Sequence, residues 1–187
     1  MFSDPSPAAG PEHQELAASV GWLLADSGLT LVFPASASRA GATLAEAVIG
    51  AGAPAVCVAT ESTAALIPPH PRLTEHRITS SLEERNDTLA EVSDGFLALP
   101  GGIGSLEELF AIWTWGGSHE KPGGLLNRAD YYTGLLRTSP DALVERFFHE
   151  TRRGMLIVDR DPAVLLRAMA EFRPPETRRL FPSSDDA

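Results

Sequence analysis

A chain of 187 residues with 43% hydrophobic content can bury the core of one domain of ordinary size. Its net charge of −10 and pI near 4.9 argue against nucleic acid and anionic membrane surfaces, whose binders carry basic faces, and leave small molecules or protein as partners. No run approaches the roughly 18 apolar residues of a membrane span, and the start Met1-Phe-Ser-Asp-Pro5 has neither segment of a signal peptide, so a cytoplasmic protein is expected.

The first residues, Phe2 to Pro7, are too short and proline-rich for a full strand. Glu12 to Ser27 reads as a helix, with Leu16, Val20, Leu23 and Leu24 on one face and Gly28 ending it. Leu29 to Phe33 is an apolar strand, Pro34 to Ala42 a loop of small residues, Thr43 to Ala51 a second helix and Ala55 to Ala59 the next strand. Thr60 to Glu75, with Pro68, Pro69 and Pro71, reads as irregular. Arg77 to Thr79 is a short strand and Ser81 to Ser93 a helix.

Asp94 to Glu108 then carries a strand, a glycine turn and a helix start in direct succession. Phe96 to Leu99 are apolar without alternation, as in a strand covered on both faces. Gly101, Gly102 and Gly104 let a ligand approach bare backbone, and Ser105 is placed to cap a helix running from Leu106 to Trp115. Free N–H groups at such a helix start favour an anion, most often phosphate.

Downstream, Gly123 to Asn127 is a strand, Tyr131 to Leu136 and Asp141 to Thr151 are helices, and Met155 to Val158 is a strand. Pro162 to Phe172 is a final helix, before a proline-rich polar tail. The alternation implies an α/β fold: a Rossmann-like, doubly wound parallel sheet with helices on both faces, one nucleotide-binding domain over 1–173 and a flexible tail over 174–187.

Among chemistry-bearing residues, Cys57 reads as a small buried hydrophobe, and its being the one cysteine excludes a disulfide within the chain. Of the fifteen basic residues only Lys121 is a lysine, so Schiff-base chemistry would have to use it. His13, His70, His76, His119 and His149 lack metal-ligand spacing, so neither a metal nor a cofactor is expected. Arg85 shares its helix face with Leu82, Leu89 and Val92; it is either an arginine snorkelling or paired at the core edge, or a guanidinium aimed at a phosphate or carboxylate. Ser105-Leu-Glu-Glu108 matches a capping box, which would make Glu108 a cap. Yet Glu108, Ile112 and Trp115 line a helix face nearly opposite Leu106, Leu109, Phe110 and Trp113. That second apolar face predicts a homodimer packed through the Leu106–Trp115 helix.

Pro100-Gly-Gly-Ile-Gly-Ser-Leu-Glu-Glu108 resembles the P-G-G-x-G-T-x-x-E motif of the LONELY GUY family of cytokinin-activating phosphoribohydrolases, with Ser105 in place of threonine. Glu84-Arg85 is similar to the family's upstream E-R-K, and Ser93 to Pro100 to its S-D-A-F-I-A-L-P. Thr114-Trp115, Lys121-Pro122, Gly124 to Asn127 and Tyr131 to Leu136 also look like family segments. The resemblance spans residues 12 to 172 and implies hydrolysis of the N-glycosidic bond of a nucleoside 5′-monophosphate to free base and ribose 5-phosphate. It makes Arg85 and Glu108 the catalytic pair and Gly101, Gly102, Ile103, Gly104 and Ser105 the phosphate turn. Ser6, Arg39, Glu84 and Asp94 are further candidates for the pocket. Family members often carry a lysine decarboxylase label, to which a single lysine lends no support.

The chain departs from the family where a second glycine turn, close to V-Y-G-G-G-x-x-G-L-M-G, is replaced by Val32-Phe-Pro-Ala-Ser-Ala-Ser-Arg-Ala-Gly-Ala42. Proline removes a donor and Cβ atoms enter where bare backbone approaches a ligand. Arg39 either replaces lost amide contacts with a charge or is a solvated loop residue. Asn86 replaces the lysine after Arg85. These losses raise a second reading, a weak or inactive binding protein of carrier type on the same fold.

Overall fold

The structure, a computed structural model, describes residues 11–35, 39–101, 105, 110, 121–138 and 156–174. Helix α1 (Pro11–Asp26) leads to strand β1 (Leu31–Pro34), helix α2 (Arg39–Gly50) and strand β2 (Ala55–Thr60). A short helix α3 (Glu61–Leu66), strand β3 (Glu75–Thr79), helix α4 (Leu82–Val92) and strand β4 (Phe96–Ala98) follow. Strand β5 (Gly123–Leu126), a tight turn over Arg128–Asp130, helix α5 (Thr133–Thr138), strand β6 (Leu156–Asp159) and helix α6 (Pro162–Ala170) complete the described elements. The tail from 175 onward and the expected helix over 141–151 lie outside the described residues.

All pairing is parallel, in two ladders ordered β1-β2-β3 and β4-β5-β6. β1 and β4 each end a ladder, and Val32 of β1 packs in one cluster with Phe96 of β4, Val58, Leu89 and Ala90. Side chains alternate across the strands, so each strand feeds two layers. Leu31, Ala55, Leu97, Leu99 and Leu126 join Val20 of α1, Leu44 and Val48 of α2 and Leu165 of α6 in one core. Val32, Val58 and Phe96 instead meet α4, while Ala98 and Leu125 meet Tyr132 and Leu135 at α5. Helices therefore cover both faces, with α1, α2 and α6 on one and α4 and α5 on the other. Winding reverses between β1 and β4, which places the ligand crevice of such folds beyond their carboxyl ends.

Three expectations are corrected. The span Thr60 to Glu75 is not wholly irregular: the Thr60 hydroxyl accepts the Thr63 N–H at 3.2 Å and starts α3, which stops at Ile67 because a residue before proline disfavours helical ψ. Helix α2 begins at Arg39, not Thr43, so Arg39 stands in a helix and not in a loop. The helix expected from Tyr131 starts only at Thr133, after a turn in which Ala129 and Asp130 take left-handed φ of 52° and 60°.

Candidate active site

The sheet brings two of the predicted features to one edge. In this topology α4 runs antiparallel to the strands, so its first turn lies at their carboxyl ends, where Leu99 to Gly101 leave β4. Arg85 stands in that first turn and Gly101 in the turn after β4, buried. The Arg85 guanidinium is half-buried and donates from Nε and Nη2 to Asn86 Oδ1 at 3.2 and 2.9 Å. Leu82, expected on the same buried face, is 62% exposed; of that stripe only Leu89 is buried, and Val92 is half-buried like Arg85.

Glu84 has a structural role. It is exposed and accepts the Ser80 hydroxyl at 2.6 Å and the Ser80 N–H at 2.7 Å, while its own N–H goes to the Ser81 hydroxyl. This is a helix cap one residue wider than the usual box, and the Ser80 bonds hold the carboxyl below its ordinary range. Asp94 lies between α4 and β4, at the amino end of the strand and exposed. The structure does not bring it to the edge that holds Arg85 and Gly101.

The tetrapeptide Ser-Leu-Glu-Glu occurs twice, at Ser81–Glu84 and Ser105–Glu108. At the first, Ser81 has extended φ and ψ and caps α4. Ser105, in contrast, is itself helical and fully buried. A cap residue stands outside helical φ/ψ, so Ser105 is not the cap expected of it and the second copy lacks the premise of a capping box. Ser6, Gly102, Ile103, Gly104 and Glu108 lie outside the described residues, as does most of the Leu106–Trp115 helix.

Two tyrosines that the sequence reading did not single out grip the turn. The Tyr131 hydroxyl donates to the Gly101 carbonyl and the Tyr132 hydroxyl to the Leu99 carbonyl, both at 2.6 Å. Tyr132 is buried, which pushes its hydroxyl pKa well up and keeps it a donor. Buried Asn127 at the end of β5 accepts the Tyr132 N–H at 2.7 Å and donates to Thr133 Oγ1 at 3.0 Å. Their sequence signal was membership of two family-like segments, Gly124 to Asn127 and Tyr131 to Leu136.

In the divergent stretch after β1, the described residues Pro34 and Ala35 offer a ligand no free N–H. Pro34 has no N–H, and the Ala35 N–H is spent on the Val58 carbonyl at 2.9 Å. Phe33, Pro34 and Ala35 instead line a cavity of about 140 Å³ together with Ala42 and Ala45 of α2, Cys57 and His76. Burial pushes the Cys57 thiol up to about 11, so it stays neutral there. The cavity lies on the α2 face, opposite the face that α4 covers.

Lys121 is engaged structurally. Its ammonium donates to the carbonyls of Ala90 at 2.8 Å and Glu91 at 3.2 Å at the end of α4. Among the described residues, no helix is long and apolar enough to cross a membrane.

Comparison with known proteins gives this geometry a family. A family model described as "Possible lysine decarboxylase" matches residues 42–169. The chain is 36% identical over 178 residues to the cytokinin riboside 5′-monophosphate phosphoribohydrolase of Rhodococcoides fascians, covering 94% of this chain and 88% of that protein. It is 32% identical to a probable enzyme of the same name from Oryza sativa subsp. japonica, covering 94% of this chain and 72% of that one. Among solved structures, the molybdenum cofactor carrier protein of Chlamydomonas reinhardtii shares the fold, with a TM-score of 0.64 at 15% identity over 91% of this chain and 93% of its own. The Pro100–Glu108 turn, the Arg85 that precedes it and the identity carried along nearly the whole chain lead to one conclusion: this chain belongs to the LONELY GUY family, the family of cytokinin riboside 5′-monophosphate phosphoribohydrolases.

Proposed function

We propose that the protein hydrolyses the N-glycosidic bond of a nucleoside 5′-monophosphate, a cytokinin riboside monophosphate or an AMP-like nucleotide, to free base and ribose 5-phosphate. The observation that carries the reading is the co-location of Arg85 and the Gly101 turn at the carboxyl edge of the sheet, in a chain aligned over 94% of its length with a named phosphoribohydrolase. In this reading the turn from Gly101 through Gly102, Ile103 and Gly104 to Ser105 holds the 5′-phosphate on N–H groups. Glu108 faces the sugar, stabilises its oxocarbenium-like transition state and orients the attacking water. As the water oxygen bonds to the anomeric carbon, the C–N electron pair departs with the base, which takes up a proton. Arg85 supplies positive charge to the phosphate or fixes the Glu108 carboxylate as ionised. That Ser105 is helical supports Glu108 as a reacting group over Glu108 as a cap.

One domain over residues 1–173, a cytoplasmic location and a homodimer through the Leu106–Trp115 helix belong to the same proposal. The dimer would cover the second apolar face of that helix and desolvate the mouth of the site. Light scattering checks it, and a clean monomer removes it.

The second reading, a binding protein with little or no turnover, is favoured by one observation: Pro34 and Ala35 leave no free amide where a second glycine turn would hold the nucleotide. Chromatography of the protein incubated with AMP or isopentenyladenosine monophosphate separates the two. Base release that disappears in Glu108→Gln supports the hydrolase; ligand-induced thermal stabilisation without release from either nucleotide supports the binder.

A further inference from the structure

We propose that the cavity beside α2 is a second binding site, for a small uncharged aromatic molecule that carries one hydroxyl, a ligand of the size of phenol. Part of its lining is a row of three residues across the sheet. Phe33 of β1 pairs with Cys57 of β2, and Cys57 with His76 of β3, so the three stand in line on one face. Adjacent strands lie about 4.8 Å apart, which sets the backbones that carry the Phe33 and His76 rings roughly 10 Å from each other. Between them stands only a thiol. From α2 come Ala42 and Ala45, and from the chain between α3 and β3 come Pro68 and Leu73. The void exists because small side chains, Cys57 from the sheet and the two alanines from the helix, line the same space.

Size, charge and hydrogen bonding select the ligand. Protein cores leave few voids larger than a water molecule, and an apolar cavity of about 150 Å³ holds a benzene-sized ring. The 140 Å³ here matches that size. Apolar walls penalise any ion that must shed its water, and the Glu46 carboxylate, in a chain of net charge −10, turns anions away. Two histidines line the cavity, and only one is committed. His70 Nδ1 accepts the Arg72 N–H at 3.1 Å, which leaves its Nε2 to bear the proton that faces Glu46 Oε1 at 3.4 Å. The His76 imidazole makes no hydrogen bond among the described residues. A hydroxyl both donates and accepts, so it pairs with a ring nitrogen of His76 in either tautomer. The Cys57 thiol, kept protonated by burial, adds only a weak donor.

This site stands apart from the hydrolase reading. It uses α2, β1, β2 and β3 on one face of the sheet, whereas Arg85 belongs to α4 on the other.

The probes are phenol and toluene, which share a shape and differ by the hydroxyl. Ligand-observed NMR titration gives Kd for wild type, His76→Phe and Ala45→Leu, with melting temperature as the check on folding. Wild type is expected to bind both probes at one saturable site with Kd of about 1 mM or tighter. His76→Phe keeps a flat ring but no nitrogen, and should weaken phenol about three- to tenfold while leaving toluene unchanged. Ala45→Leu fills the void and should abolish binding of both. Should that variant fail to fold, the backbone amides of wild type decide: shifts at Phe33, Cys57 and His76 on phenol titration support the site, and shifts only elsewhere overturn it. No saturable binding to wild type overturns the proposal and makes the cavity a packing defect. Binding retained in a folded Ala45→Leu overturns it by placing the probes elsewhere, and equal loss of phenol and toluene in His76→Phe overturns the hydroxyl's pairing with His76.

Discussion

The Lys121 ammonium reaches the Ala90 carbonyl at 2.8 Å, so the chain's only lysine closes the C-terminal end of α4. The contact satisfies an orphan helix carbonyl, places positive charge at the negative end of the helix dipole, and ties α4 to the entry of β5. An amine so engaged is not available to form an imine with a carbonyl cofactor, whatever the family model's description suggests. Lys121→Met is expected to lower stability by about 1 kcal/mol, read as a fall in melting temperature of a few degrees, with base release retained. Incubation of wild type with pyridoxal phosphate and borohydride should leave Lys121 unmodified in peptide mass analysis. A stable adduct there would reopen decarboxylase chemistry.

Arg85 reads oppositely. The described hydrogen bonds of its guanidinium go only to its neighbour Asn86, and it stands at the edge where the Gly101 turn leaves the sheet. Arg85→Ala should cost little stability and reduce kcat/KM for AMP by about a hundredfold or more, the scale of removing a preorganised charge from a transition state. Arg85→Lys should recover little of it, since a point charge does not reproduce the planar fork. A variant that melts far below wild type while retaining its activity would assign Arg85 to the core edge.

Much of this was legible in the residues. The unbroken apolar run Phe96 to Leu99 announced a strand buried on both faces, and all of it is buried. Alternating strands and helices announced the parallel sheet. What escaped depended on contacts between distant or ambiguous segments. Helix α3 was hidden because its cap, Thr60, is also the last residue of β2, and the prolines that follow dominate the local composition. Tyr131 and Gly101 are thirty residues apart, and no periodicity links them. The duplicated Ser-Leu-Glu-Glu shows the limit most directly, because one tetrapeptide caps a helix at Ser81 while the other has its serine inside one at Ser105.

Glu84 gives that cap a pH dependence. Its two Ser80 hydrogen bonds favour the ionised carboxyl and lower its pKa from the ordinary 4.5. Because the folded value lies below the unfolded one, the contribution is fully present above pH 4.5 and is lost as pH falls through the lowered value. Glu84→Gln should therefore melt below wild type at neutral pH and converge with it in acid. Parallel melting curves across that window would remove the carboxylate from the cap.

Glycine positions offer a paired prediction in which packing and helix propensity pull apart. Gly21 of α1 crosses α2 so closely that a Cβ would stand 2.7 Å from Ala47 Cβ and 2.8 Å from the Leu44 carbonyl oxygen. Alanine gains about 1 kcal/mol in helix propensity, but a backbone oxygen cannot rotate away, so α1 would have to lift off the contact that buries Val20, Leu44 and Val48. The clash wins, and Gly21→Ala is expected to lose about 1 to 2 kcal/mol net. Gly134 in α5 is the control, since a Cβ there meets nothing within 4 Å and its φ is not left-handed. Gly134→Ala should gain about 0.5 to 1 kcal/mol, through propensity and a less flexible unfolded chain. Denaturant midpoints at constant m-value measure both. Shifts of the same sign would mean that α1 can slide on α2, and that the crossing at Gly21 is not what sets how closely the two helices pack.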